Sequence, residues 1–263
     1  MIIQNIYIFL LQYIFQGGIN LGTSLLRCFY SDTGKELTIK DIIERSGLTY
    51  KPVYFGLMKL MERDYLNHRR EKWKHFFSLN LSNTFVRKEL ELIEVERREK
   101  FLNELEEKQR RALDRLVESV QEKIPLLMVR LINPVAIAQG KIELLFVVAE
   151  TDDYGNTIKN FCNGVEVTHG VTIAPVTASL KVFRRILAEE SNLRRMIESG
   201  VTFFGTEFFI REKIRSAERE TMVEKGTTSS RYGATLYAPP APKTGVLHRN
   251  ESIVPGGSGD GRG

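Results

Sequence analysis

Leu37–Asn80 reads LTIKDIIERSGLTYKPVYFGLMKLMERDYLNHRREKWKHFFSLN. Thr38 predicts a helix start, because its hydroxyl can accept from an unpaired amide of the first turn and Asp41, three residues on, suits the positive end of the helix dipole. Ile39, Ile42 and Ile43 share one face at helical spacing, and Gly47 supplies the backbone freedom to leave the helix. Thr49 is placed to cap a second helix, with Pro52 in the early turns where a missing N–H costs least. Val53, Leu57, Leu60 and Met61 make its inward stripe. Tyr50, Lys51, Tyr54 and Phe55 then face outward near its start, with Met58 and Lys59 further along. Tyr65 and Leu66 begin a short strand, Trp73, Phe76, Phe77 and Leu79 form the returning one, and Asn67–Lys74 make the tip between them.

Helix, tight Ser46–Gly47 turn, helix and basic hairpin is an order of elements that presents one helix to the DNA major groove while the hairpin touches the adjoining backbone. The tip carries Arg69, Arg70, Lys72 and Lys74, with His68 and His75 beside them and Glu71 as its one acid. Such cations neutralise phosphates and release counterions; a solvated hairpin is the plainer reading. The stretch resembles the winged helix-turn-helix transcription regulators of archaea and bacteria, over roughly residues 20–80. The resemblance implies contacts to double-stranded DNA from Thr49, Tyr50, Lys51, Tyr54, Phe55 and Lys59 on the second helix, and from Arg69, Arg70, Lys72 and Lys74 on the wing. Only Lys51 among the leading residues offers a charged donor; the aromatics offer contact to thymine methyls or hydroxyl bonds to phosphate. A winged helix used for protein docking is the competing reading.

The chain has 263 residues, 42% hydrophobic and 27% charged, enough for one large or two modest domains. A net charge of +5 favours an acidic partner. Cys28 and Cys162 stand alone and far apart, which indicates neither a zinc site nor a disulfide framework and fits a reducing cytoplasm. His68, His75, His169 and His248 are too scattered for a ligand cluster, and no cofactor is expected.

No charge precedes Arg27, and residues 1–18 open with MIIQNIYIFLLQYIF. A spanning helix needs about 20 apolar residues, whereas this run is interrupted by Gln4, Asn5 and Gln12 and ends at Gln16-Gly17-Gly18. It also lacks the basic segment and cleavage site of a signal peptide. The expectation is a helix packed on the neighbouring unit or on a second subunit, not a membrane anchor. Leu21, Leu25, Leu26 and Phe29 then supply the first helix of a DNA-binding unit over residues 19–82.

Residues 83–123 are rich in Glu, Arg, Lys and Leu, and Thr84–Lys123 contains no Gly or Pro. One long helix or two in series is expected, with Val86, Leu90 and Ile93 as a first stripe and Leu102, Leu105, Leu113, Leu116 and Val120 as a second. EVERREK between them is polar nearly all round. Such a helix serves as a spacer and can pair with its copy; a homodimer would match palindromic half-sites. A helix lying on its own domain is the plainer alternative.

Residues 124–216 have an α/β rhythm: an apolar Pro125–Val135, the continuous run IELLFVVAE from Ile142, the strand GVTIAPVTAS from Gly170, a helix, and VTFFGTEFF. IELLFVV, VTIAPVTAS and ESGVTFFGTEFF together resemble the minimal nucleotidyltransferase fold. That resemblance implies a Gly-Ser turn, an Asp-x-Asp strand and a third carboxylate holding two magnesium ions. Here the strand reads Lys141-Ile142-Glu143, Ile132-Asn133-Pro134 stands where the turn would be, and Thr172, Ile173 and Ala174 stand where the third carboxylate would be. An ammonium among metal ligands repels the cation, so the domain is expected to be catalytically inactive, serving assembly or nucleotide or protein binding. Glu143, Glu150, Asp152 and Asp153 read as a solvated loop edge. From Ala217 to residue 263 the chain is expected to be a tail, its Gly-, Pro- and Ser-rich end disordered. The fold class expected is therefore α+β and multidomain, and the function that of a cytoplasmic, dimeric DNA-binding regulator. The alternative is a nucleotidyltransferase or antitoxin-like partner whose winged helix only docks.

Overall fold

In the computed structural model, which describes residues 21–149, 154–189 and 191–232, the first element is helix α1 (Leu21–Tyr30). Residues 1–18, the loop acids Glu150, Asp152 and Asp153, and the stretch from 233 onward lie outside the described residues. After α1 come strand β1 (Leu37–Thr38), helices α2 (Ile39–Ser46) and α3 (Tyr50–Glu62), and the hairpin β2 (Leu66–Glu71) and β3 (Lys74–Leu79). The three strands form an antiparallel sheet in the order β1-β3-β2, with Leu37 opposite Phe77 and Leu66 opposite Leu79.

Local chemistry accounts for these boundaries. Thr38 Oγ1 accepts from the Asp41 amide at 3.3 Å, and Asp41 Oδ2 accepts from the Thr38 amide at 2.8 Å, a reciprocal capping box. The Thr38 amide and hydroxyl, both donating to Asp41 Oδ2, hold the Asp41 carboxyl below the usual carboxylate range. Gly47 closes α2 with φ 67°, the left-handed conformation that glycine adopts without Cβ strain. Thr49 has the extended backbone of a cap before α3, but its hydroxyl makes no capping bond.

The charged stretch forms two helices in series, α4 (Thr84–Glu104) and α5 (Glu107–Gln121). The chain is extended at Leu105, and the Glu106 amide donates to Gln109 Oε1 at 3.1 Å to start the second. A second sheet follows. Its elements are β4 (Leu126–Leu131), a 3-10 turn (Pro134–Gln139), β5 (Lys141–Val148), α6 (Tyr154–His169), β6 (Thr172–Ser179), α7 (Leu180–Ala188), α8 (Asn192–Ser199), β7 (Thr202–Phe204) and α9 (Thr206–Tyr232). The strand order is β6-β5-β4-β7; β5 and β6 run parallel across α6, and β4 is antiparallel to both neighbours.

β5 is buried on both faces, as its unbroken apolar run implies. Leu144, Phe146 and Val148 face one cluster with Leu113, Leu116, Val120, Ile158 and Cys162. Leu145 and Val147 face another that also holds Leu25, Phe29, Leu57, Val86, Leu90, Ile93, Met128, Phe183, Phe209 and Ile214. The Val86, Leu90 and Ile93 stripe of α4 thus lies against this interior.

The chain does not become a tail at Ala217. α9 continues to Tyr232, because Thr206–Lys225 contains no Gly or Pro and because Ile210, Ile214 and Ala217 recur at helical spacing and are buried. Ala217 sits so close to Gly34 that a Cβ there would lie 2.8 Å from the alanine's. The fold is mixed α/β. No helix among the described residues is long and apolar enough to cross a membrane.

Candidate nucleic-acid interface

The buried stripe of α3, Val53, Leu57 and Leu60, fixes which side chains face out. Thr49, Tyr50, Lys51, Tyr54, Phe55 and Lys59 are all exposed. Tyr50 and Tyr54, one turn apart, stack with ring centroids 5.9 Å apart and planes 16° from parallel; Phe55 meets Tyr54 edge-on at 6.0 Å. Lys51 and Lys59 form no ion pair among the described residues.

The hairpin beside this helix is paired out to Glu71 opposite Lys74 and closed by Lys72 and Trp73, with Lys72 in the left-handed conformation at φ 54°. Leu66 of β2 and Phe77 and Leu79 of β3 are buried, and beyond the His68–Phe77 pair the ribbon has no buried residue. Its cations are not equivalent. Arg69 donates through Nε and Nη2 to Glu36 at 2.7–3.2 Å and through Nη1 to Glu71 at 2.9 Å, and lies 4.5 Å over the Phe76 ring. Two carboxylates therefore neutralise this hairpin arginine. Arg70 donates to the Lys72 carbonyl at 3.1 Å, and Arg70, Lys72 and Lys74 form no ion pair among the described residues. On the opposite face His68 and His75 share a hydrogen bond of 2.8 Å, and His68 stacks on Phe77. Trp73 at the apex is 78% exposed. The sequence sets it both among the aromatics of the returning strand and within the Asn67–Lys74 tip; the two-residue turn puts it at the tip.

The residues compared with a nucleotidyltransferase site come together at the start of β5. Glu143 accepts from Lys141 Nζ at 2.9 Å and from Asn133 Nδ2 at 3.1 Å, and those two bonds hold its carboxyl below the usual range. Its neighbour on β6 is Ala174, so the adjoining strand brings no second carboxylate. No group of three or more His, Cys, Asp or Glu among the described residues is placed to hold a metal ion. Cys28 and Cys162 are both buried and unbridged, and burial pushes the Cys162 thiol up to about 12.

The chain matches no family model, no curated protein and no solved structure.

One constellation escapes sequence reasoning altogether. Glu94, the first residue of EVERREK, accepts from Arg130, from Arg97 at 3.0 Å, from the Tyr30 hydroxyl and from the Thr202 amide at 2.8 Å. Its charge is held by Arg130 and Arg97 against the cost of burial, with the carboxyl below its usual range. Lys213 lies in the same interior, donating to the Tyr30 carbonyl at 2.6 Å over the Tyr30 ring, and burial lowers its ammonium to about 8. The available signal was a lone arginine in the apolar run LLMVRL, which a buried strand carries only when that charge is paired.

Proposed function

We propose that the chain is a DNA-binding transcription regulator of the winged-helix kind, acting as a homodimer on double-stranded DNA. α3 reads the major groove through Tyr50, Lys51, Tyr54 and Phe55, and the hairpin contacts phosphates through Arg70, Lys72 and Lys74. One observation carries this reading: an exposed helix face with a charged donor and stacked aromatics stands beside a projecting ribbon whose outer cations are unpaired among the described residues. Cations left without carboxylates at a hairpin apex suit a polyanion. The sheet of β4–β7 with α6–α9 is then a nucleotidyltransferase-like module without its chemistry, serving assembly or ligand sensing. The Lys141–Glu143–Asn133 contacts favour this, since the carboxylate is already satisfied.

The exposed ring patch on α3 also suits docking of a protein partner, and this is the second reading. An anisotropy titration of labelled duplex from the chain's own upstream region, across a salt series, separates the two. DNA reading requires log affinity to fall linearly with log salt, with a slope of about −0.9 per phosphate contacted. It also requires Lys51→Ala to weaken binding and Lys72→Ala with Lys74→Ala to flatten the slope. Absence of binding, or binding indifferent to all these changes, would favour protein docking. Incubation with labelled nucleotide and magnesium addresses retained transfer chemistry; transfer that disappears in Glu143→Ala would overturn the inactive assignment.

A further inference from the structure

The Trp73 ring, at the tip of the hairpin, is the most exposed aromatic group among the described residues and the only tryptophan in the chain. The indole is left in water at the tip, where its apolar faces are open to a partner. The turn holds it outward: Lys72 is left-handed, and Glu71 and Lys74 are the last paired residues behind it. The ribbon under it is braced as well. Arg69 ties β2 to Glu36, just ahead of β1, and stacks on Phe76 of β3. The ring therefore sits on a rigid arm and need not be ordered when it meets its target.

We propose that Trp73 is a wedge that enters the minor groove of duplex DNA and inserts between two base pairs, unstacking them and kinking the duplex. The inference rests on the DNA-binding reading above. Its flanks select the occupant. Lys72 and Lys74 on either side, with Arg70 two residues beyond Lys72 and the intervening Glu71 paired to Arg69, match the phosphates that border a groove about 6 Å wide, into which a hairpin tip one side chain across can reach. A protein partner is the poorer fit, since a stable interface needs about 800 Å² from each side and a tryptophan supplies about 150–250 Å². Apolar side chains inserted between base steps bend DNA in just this manner, and pyrimidine–purine steps such as TA part most easily. The aromatic tip thus adds shape-dependent selectivity, which its lysines alone lack.

Because Trp73 is the sole tryptophan, its emission reports its own surroundings. The full chain is titrated with a mixed-sequence duplex carrying a central TA step, end-labelled so that anisotropy reports binding and energy transfer between the ends reports bending. Insertion predicts quenching of Trp73 emission at saturation, shielding from acrylamide and a shortened end-to-end distance. Trp73→Ala should lower affinity by on the order of tenfold and abolish the bend, while Trp73→Phe retains part of both. The residue is exposed, so neither change threatens folding. Binding seen by anisotropy with Trp73 emission unchanged and still open to acrylamide overturns the wedge and leaves the DNA reading standing. No binding by anisotropy overturns both.

Discussion

Glu94 on α4 and Arg130 on β4 form an ion pair in which neither side chain has any exposed surface. Arg130 also donates to the Ile197 carbonyl at 2.7 Å and the Gly200 carbonyl at 2.8 Å, and its guanidinium lies 3.7 Å from the centre of the Phe209 ring. One cation thus closes the carboxyl end of α8, neutralises α4 and covers α9. Arg130→Met leaves Glu94 with Arg97 as its remaining cation and removes the donors from α8. The expected cost is about 3–5 kcal/mol, read by urea unfolding; a loss under 1 kcal/mol would show that the pair is dispensable.

The same cluster sets an acid limit. The Glu94 carboxyl titrates below its ordinary value of 4.5, so the stability it contributes is present above that pH and is lost as pH falls through the lower, folded value. Thermal unfolding between pH 7 and pH 3 should therefore steepen below about pH 4.5 in the native chain. Glu94→Gln should be less stable at neutrality and flatter in acid. Parallel curves for the two proteins would contradict the assignment.

Lys213 acts in the opposite range. Its folded value of about 8 lies below the ordinary 10.5, so the folded state binds fewer protons than the unfolded one between those two values. The penalty of burying the ammonium is complete below about pH 8 and is relieved as pH rises toward 10.5. Native stability measured relative to Lys213→Met should accordingly improve by about 3 kcal/mol from pH 7.5 to pH 10.5. A difference that does not move with pH would mean the ammonium titrates normally.

Under the proposed DNA-binding function, Arg69→Ala on the hairpin should change duplex affinity less than Lys72→Ala or Lys74→Ala, because Glu36 and Glu71 already neutralise it. Glu36→Gln leaves only Glu71 against Arg69 and should raise affinity by a few-fold at low salt. Anisotropy titrations of the four variants supply the ranking. If Arg69→Ala proves the most damaging, the ion pairs are not maintained on DNA.

Two glycines should respond in opposite ways to the same change. A Cβ on Gly200 would lie 1.7 Å from the Leu131 carbonyl oxygen, where only backbone can give way, so Gly200→Ala should destabilise by about 1–3 kcal/mol or more. Gly164, exposed within α6, meets nothing within 4 Å, and Gly164→Ala should stabilise by about 0.5–1 kcal/mol. Melting temperatures of both variants check the pair.

Local signals were legible wherever a residue acts on its immediate neighbours. Thr38 and Asp41 form the capping box their spacing implies, and Gly47 turns the chain with a positive φ. Val86, Leu90, Leu113 and Leu116 are buried at the periodicity that marked them. Long-range pairing was not legible. EVERREK looks solvated because its apolar content is low, yet Glu94 is buried by a strand and a helix that lie far along the sequence. The state of Arg69 depends on Glu36, thirty-three residues earlier, and charge counting along the hairpin cannot reveal it. Spacing alone leaves Trp73 between the returning strand and the tip, and the two-residue turn at Lys72 and Trp73 decides for the tip. At Ala217 the change toward polar composition concealed a helix that buries one narrow stripe.

The interior that starts with Leu25 on α1 passes through Ile93 and Leu145 and ends at Ile214 on α9 as one continuous cluster. A fragment cut near residue 83 would take the hairpin and α3 away from the side chains that close the far side of that cluster, and would leave Leu25, Phe29 and Leu57 wet. Met128 on β4 and Ile210 and Ile214 on α9 share this interior with Leu25 and Leu57, so a cavity opened on β4 or α9 removes packing from beneath α1 and α3 as well.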